Sequence, residues 1–189
     1  ELDDHWANVP HPSAFVALAW QGLLRDLPPD GPVAHRAPRP RPLFARADLG
    51  GVSREDLRAG GGEMEELLPH AGQELVLTAG EGGALHMRRL ERGFQVRRVP
   101  AVPARRIGDL VGAGDAFLTA LVAARVRWPG DGSGSTGRAL HLASVVGSLT
   151  VEGRGLAGLP DSRAVAERLD ELRRARTSGR PSGEANTGD

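Results

Sequence analysis

The chain has 189 residues, 40% hydrophobic content and 24 acidic against 24 basic side chains, for a formal net charge of zero. That length suits one domain with its own core, and the neutrality gives no electrostatic case for nucleic acid or an anionic membrane as partner. There is no cysteine and no lysine, which excludes disulfides, thiolate chemistry, Walker-type phosphate loops, eukaryote-like protein kinases and Schiff-base catalysis.

In chain order, residues 13–20 (Ser-Ala-Phe-Val-Ala-Leu-Ala-Trp) read as a buried strand and residues 28–32 as a proline-rich turn. Arg and Pro alternate over 36–42, the pattern of an exposed connector. Residues 43–48 read as a second strand. Residues 54–57 and 63–68 read as one helix broken by Gly60, Gly61 and Gly62. Residues 74–78 read as a strand, and 84–89 with 94–100 as a β-pair turning at Arg92-Gly93. A helix from Ala116 to about Arg127 would bury Phe117, Leu118, Leu121, Val122 and Val126. Residues 128–137 read as a flexible loop. A second buried helix follows over 138–151, with Leu142, Val145, Val146 and Leu149 apolar. Residues 155–160 read as a loop, 162–176 as a charged amphipathic helix and 177–189 as a disordered tail. Strands alternating with helices indicate a three-layer α/β/α domain over 1–176 with a mainly parallel sheet. No apolar run is long enough to span a membrane and the first residues do not resemble a signal peptide, so a cytoplasmic location is expected.

The most informative stretch is Asp109-Leu110-Val111-Gly112-Ala113-Gly114-Asp115-Ala116-Phe117. Gly112 and Gly114 permit a tight turn and close approach of a ligand to the main chain. The following helix aims its free N–H groups and the positive end of its dipole at the same spot, an anion site suited to phosphate. An aspartate repels phosphate, so Asp115 needs a chemical reason to be there, and accepting a proton from an attacking hydroxyl is one. A lone Gly-Ala-Gly-Asp more often marks a loop entering a helix. Upstream, however, an apolar strand runs into a second glycine turn at Thr78-Ala79-Gly80-Glu81-Gly82-Gly83. Two such turns can wall one phosphate crevice at the carboxyl ends of parallel strands. The six histidines have no metal-ligand spacing, and there is no Gly-x-Ser-x-Gly elbow or dinucleotide fingerprint.

These residues resemble the signature of the PfkB, or ribokinase-like, family of carbohydrate and nucleoside kinases. The family pattern Asp-Thr-x-Gly-Ala-Gly-Asp-x-Phe is matched at Asp109, Gly112, Ala113, Gly114, Asp115 and Phe117. Its companion Thr-x-Gly-x-x-Gly is matched at Thr78, Gly80 and Gly83. Leu110 departs from the usual Thr. The resemblance implies a ribokinase-like fold, Asp115 as catalytic base and the amides of Gly112, Ala113 and Gly114 as an anion hole. It implies ATP along the 78–83 turn beside Asp109, with Ser144 and Gly147 facing the purine; by default those two are small residues at a helix contact. The family's Asn-x-x-Glu element, which organises Mg2+ through water, would read Ser53-Arg54-Glu55-Asp56 here, with Glu55 and Asp56 as candidate acids. The same residues also read as a helix N-cap with acids in its first turn. Gln21-Gly22-Leu23-Leu24-Arg25 and residues 147–152 look like segments of the inositol-kinase branch.

The implied activity is transfer of the γ-phosphoryl group of ATP to a sugar, polyol or nucleoside, with no nucleic-acid or membrane partner. The rival class is a truncated or pseudokinase module that binds nucleotide without catalysis. The resemblance covers roughly residues 14–160 and only the carboxyl-terminal part of the family pattern. The amino-terminal half and small β lid are not found, so a fragment, or the product of a split or decayed gene, is expected. A homodimer that completes the site through an exposed sheet edge is a further expectation.

Overall fold

The computed structural model describes residues 3–26, 28, 30–59, 64–128 and 133–178. Its core is a five-stranded sheet. The strands are β1 (Ala17–Ala19), then β4 (Leu49–Ser53), β5 (Glu74–Thr78), β6 (Ala84–Arg89) and β7 (Phe94–Val99), adjacent in that order. A separate two-stranded ribbon pairs β2 (Arg25–Asp26) with β3 (Ala34–His35). β1, β4 and β5 are parallel neighbours, whereas β6 is antiparallel to both β5 and β7. Four of the five strands therefore share one direction and β6 alone opposes them, so the sheet is mainly parallel.

Alternation along the central strands creates two cores. Leu49 and Val76 face one side, where α3 (Ala113–Arg127) and α4 (Ser133–Glu152) bring Phe117, Leu121, Leu140 and Ala143. Val52 and Leu75 face the other, packed with Trp20, Leu24, Phe44 and Leu68 beneath α1 (Pro42–Arg46) and α2 (Met64–Leu67). This gives the three-layer ribokinase-like α/β/α arrangement expected. Gly50 is part of the second core's construction: a Cβ there would lie 2.7 Å from Trp20 Nε1 and 2.8 Å from Leu75 Cδ1. The missing side chain leaves room for the Trp20 indole, which stacks on Phe44 with ring centroids 4.2 Å apart. A last helix, α5 (Ser162–Ser178), packs against α4.

Several element assignments change. Residues 43–48 are not a strand. Pro42 sits in the first turn of α1, where its fixed φ suits a helix start, and the helix puts Leu43, Phe44 and Ala47 into one core. The buried Gln73 amide then donates to the carbonyls of Phe44 (2.9 Å), Ala45 (3.2 Å) and Ala47 (2.7 Å), satisfying the end of that helix. The strand within 13–20 shortens to β1. The helix expected over 54–57 becomes a 3-10 turn, Asp56–Ala59, and its second piece shrinks to α2; residues 60–63 lie outside the described residues. α4 starts at Ser133, inside the expected loop, of which 129–132 lie outside the described residues. α3 starts three residues early, at Ala113. Its Val126 is exposed, because Ala116, Ala120 and Ala124 complete the buried stripe instead. The expected loop 155–160 contains a 3-10 turn, Gly155–Gly158, and α5 extends two residues into the expected tail. Residues 179–189 lie outside the described residues.

Candidate active site

The direction of α3 locates the site. Leu118, near the start of the helix, packs over Gly51 of β4, where a Cβ would come within 3.0 Å of Leu118 Cδ2. Arg125, in the last turn, pairs with Glu74 at the first residue of β5. The helix thus runs back along the sheet, and its N-terminus lies at the carboxyl edge of the parallel strands. Thr78 ends β5 at that same edge, so both glycine turns meet the sheet there.

Gly112 is the N-cap of α3, with φ +81° in the left-handed region that an L side chain rarely adopts. Its carbonyl accepts from the Ala116 amide at 2.9 Å, closing the first helical turn. The amides of Gly114 and Asp115 belong to that turn and have no intrahelical acceptor to reach. A Cβ added at either Gly112 or Gly114 would meet nothing within 4 Å, so the main chain stands open to a ligand. Asp115 is exposed beside it. The open N–H groups and positive helix end attract an anion, and the carboxylate adds a proton acceptor at its edge.

Asp109 organises the approach to this turn. Its Oδ1 accepts from the Val111 amide at 3.0 Å and its Oδ2 from the Gly155 amide at 3.3 Å. Those two amides, with Arg154 nearby, hold its carboxyl below the ordinary aspartate range. A depressed value means this hold is present above the unfolded-state pKa and lost as pH falls through the folded one. Leu110 and Val111 are 67% and 78% exposed, so the position departing from the family's Thr projects outward and supplies no hydroxyl.

In the second turn, Gly80 (φ +55°) and Gly83 (φ +82°) flank a 3-10 turn, Gly80–Gly82. The Thr78 carbonyl accepts from the Arg54 amide at 2.8 Å and its hydroxyl donates to the Val52 carbonyl at 3.4 Å, tying the turn to β4. A Cβ on Gly83 would lie 2.2 Å from the Val99 carbonyl oxygen and 2.8 Å from the Ala101 nitrogen. Backbone cannot withdraw as a side chain can. Gly83→Ala is therefore expected to cost on the order of 2–4 kcal/mol, read as a lower urea midpoint at unchanged slope; an unchanged midpoint would show that β7 yields.

The remaining candidates separate. Asp56 is buried and its Oδ1 accepts from Arg25 Nε at 3.0 Å, with His35 Nδ1 at 3.7 Å; its Oδ2 accepts from the Ser53 hydroxyl at 2.6 Å. The Asp56 amide in turn donates to Ser53 Oγ at 3.1 Å, the cap geometry weighed from the sequence. Asp56 thus anchors the β2–β3 ribbon, while Glu55 is exposed. Among the described residues no group of three or more His, Asp or Glu side chains is arranged to hold a metal ion. Gly147 sits at the α3–α4 contact, where a Cβ would be 3.5 Å from the Ala113 carbonyl and 3.6 Å from Phe117 Cβ. Ser144 donates to the Leu140 carbonyl one turn back, at 3.0 Å.

Sequence reasoning passed over a triad at the opposite edge of the sheet, in which Glu74 and His86 are buried and Arg125 partly so. Glu74 Oε2 accepts from His86 Nε2 at 2.6 Å and from Arg125 Nη2. It borders a cleft of about 650 Å³ lined also by Arg46, Asp48, His70 and Gln73, which contains no residue of either glycine turn. Only the adjacency of β5 and β6 and the passage of α3 beneath them assemble the triad, so no linear spacing signals it.

An open left-handed turn feeding a helix N-terminus, at the carboxyl edge of parallel strands, is how α/β proteins commonly take phosphate groups. Residues 48–162 match the pfkB family carbohydrate kinases, and the chain belongs to that family. Solved structures agree in fold. Ribokinase from Giardia lamblia is 18% identical with a TM-score of 0.58, covering 69% of this chain and 46% of its own. Aminoimidazole riboside kinase from Salmonella enterica, complexed with aminoimidazole riboside and an ATP analog, is 22% identical with a TM-score of 0.57, covering 68% and 44%. A Burkholderia thailandensis nucleoside kinase in complex with ADP-inosine is 26% identical with a TM-score of 0.54, covering 68% and 39%. The chain thus spans less than half the length of these relatives. No curated protein matches it. Among the described residues no helix is long and apolar enough to cross a membrane.

Proposed function

We propose that this chain carries the phosphoryl-transfer end of a kinase that moves the γ-phosphoryl group of ATP to a hydroxyl of a sugar, polyol or nucleoside. The supporting observation is the turn at Gly112 and Gly114, open on its ligand side, with Asp115 exposed in the same helical turn. The open cradle and bare amides fit a phosphate, and the relatives bound to ADP-inosine and to an ATP analog favour a purine nucleotide. ATP supplies the activated phosphoryl group. Asp115 accepts the proton of the acceptor hydroxyl as its oxygen attacks. The amides of the 112–115 turn and the α3 dipole stabilise charge on the transferring group without reorganising. Asp109 keeps the preceding loop in place. The described acids do not form a magnesium cage: Asp56 is engaged by Arg25 and Ser53, leaving Glu55 as the exposed acid for a water-mediated role toward a phosphate-borne ion.

Titration calorimetry of Mg-ADP and Mg-ATP into the chain tests this, beside Gly114→Val. A Cβ at this position meets nothing within 4 Å, so valine is expected to leave the fold intact while blocking the anion's approach, and binding to fall at least about 30-fold. Equal binding by both proteins would remove the 112–115 turn from the nucleotide site. Engagement of Asp56 and exposure of Leu110 favour one second reading, a nucleotide-binding module without catalysis. Binding without phosphoryl transfer to any acceptor would establish it.

A further inference from the structure

The segment between β7 and α3 carries the chain into the 112–115 turn, and residues 103–109 of it are in neither helix nor strand. They are held as a strap across the C-terminal end of α4, where helix carbonyls lack intrahelical donors. The Gly108 and Asp109 amides both donate to the Val151 carbonyl, at 2.8 and 3.2 Å. The Glu152 carbonyl accepts from Arg106 Nε at 3.0 Å. A Cβ on Gly108 would lie 2.4 Å from the Gly153 carbonyl oxygen, so the strap lies flush on the helix end.

Several side chains join this strap to α5, with Glu152 between them. Glu152 Oε1 accepts from the Arg105 amide at 2.7 Å and from Arg168 Nη2 at 2.7 Å, and its Oε2 accepts from the same Nη2 at 3.0 Å. The Arg168 side chain is 6% exposed, and its Nη1 also reaches the Pro103 carbonyl at 3.4 Å. Arg105 pairs with Glu171 of α5. Burial alone would raise the Glu152 carboxyl, but the Arg105 amide and the two guanidinium groups hold it below the ordinary glutamate range.

We propose that Glu152 is a positioning residue for the phosphate turn: it locks the strap onto α4, and α5 holds it in place through Arg168. Asp109 lies at the end of the strap and three residues before Gly112, so slack in the strap becomes displacement of the anion-binding amides. Such sites lose function steeply with misplacement of about 1 Å. The proposal rests on the phosphate role of the 112–115 turn and adds what aligns that turn.

The test compares the chain with Glu152→Gln, Glu152→Asp and Arg173→Ala by residue-resolved amide hydrogen exchange and by Mg-ADP calorimetry. Gln is isosteric and keeps one oxygen for the Arg105 amide, which guards against global unfolding. Exchange at Gly108, Asp109 and Val111 is expected to rise about tenfold or more in Glu152→Gln, with β5 amides unchanged. Mg-ADP affinity is expected to drop about five- to tenfold. Glu152→Asp, which keeps the charge on a shorter arm, should recover part of both. Arg173→Ala, on the exposed side of α5, should change neither. Unchanged exchange in the strap, or an equal rise in strap and β5, overturns the proposal. If the unaltered chain binds no Mg-ADP, the nucleotide role fails, while the exchange pattern still decides the positioning role.

Discussion

Asp115→Asn is expected to lower phosphoryl-transfer turnover by about 10² to 10⁴ while nucleotide affinity stays within about threefold. Asparagine keeps the size of the side chain and its place in the first turn of α3, so the α3 fold and the open Gly114 amide are preserved. What it loses is the capacity to take a proton. Removing the negative charge beside the anion site would, if anything, favour a phosphate there. The split is therefore diagnostic: turnover falls and binding does not. Coupled detection of ADP release measures the first and calorimetry the second, on a form of the protein that turns over. A variant with unaltered turnover would take Asp115 out of the chemistry. One that loses binding as well would assign it to holding the turn.

The second large effect lies at the far edge of the sheet. Glu74→Ala is expected to cost about 3–5 kcal/mol, because it removes the buried carboxylate that pairs with Arg125 and leaves the buried His86 without its acceptor. The side chains of Glu74 and His86 are 6% and 5% exposed, so water offers little replacement. Burial pushes the Glu74 carboxyl up, but the hydrogen bonds from His86 and Arg125 more than offset it and bring it below its ordinary value. The sign follows: a depressed folded value stabilises the protein above the unfolded pKa, near 4.5, and that contribution disappears as pH falls through the folded value. Urea midpoints between pH 3 and pH 7 should fall more steeply on the acid side in the parent than in Glu74→Ala, where the depressed carboxyls of Asp109 and Glu152 still contribute. Replacing all three members with Leu should cost less than Glu74→Ala alone, since no charge is then left buried. A triple variant as unstable as the single one would show that the triad contributes through geometry rather than paired charge. The triad also matters to the site, because Arg125 ties the last turn of α3 to β5 and so fixes where the first turn of α3 points.

These two positions differ in how visible they are. Asp115 stands in a run whose glycines, helix start and acid are contiguous, so its chemistry could be argued from neighbours in the chain. The same holds for Gly83, although its steric reason, the close pass of Val99 and Ala101, comes from β7. Glu74 looked like the polar first residue of an apolar strand. Its partners are 12 and 51 residues away in sequence. Asp56 was legible only in part: its cap contact with Ser53 could be argued from neighbours in the chain, while Arg25 and His35 reach it from a ribbon some twenty to thirty residues earlier.

Local chemistry by itself determined β5, β6, β7, α3 and α5, because period-two alternation, Gly93 at the hairpin and long periodic runs are carried by adjacent residues. It also determined the family and the open turn at Gly112 and Gly114, since such a turn is written in closely spaced glycines. Tertiary structure decided the rest. Leu43 and Phe44 became helical because Pro42 starts a turn and Gln73 closes it from a distant loop. Val126 was left exposed because small alanines on α3 were what α4 and the sheet could cover. The strap held by Glu152 and the triad on Glu74 exist only once α4, α5 and the sheet are stacked. The common reason is that packing, not sequence neighbourhood, chooses the partners: apolar side chains are buried where a neighbour can cover them, and a charge only beside its counterpart.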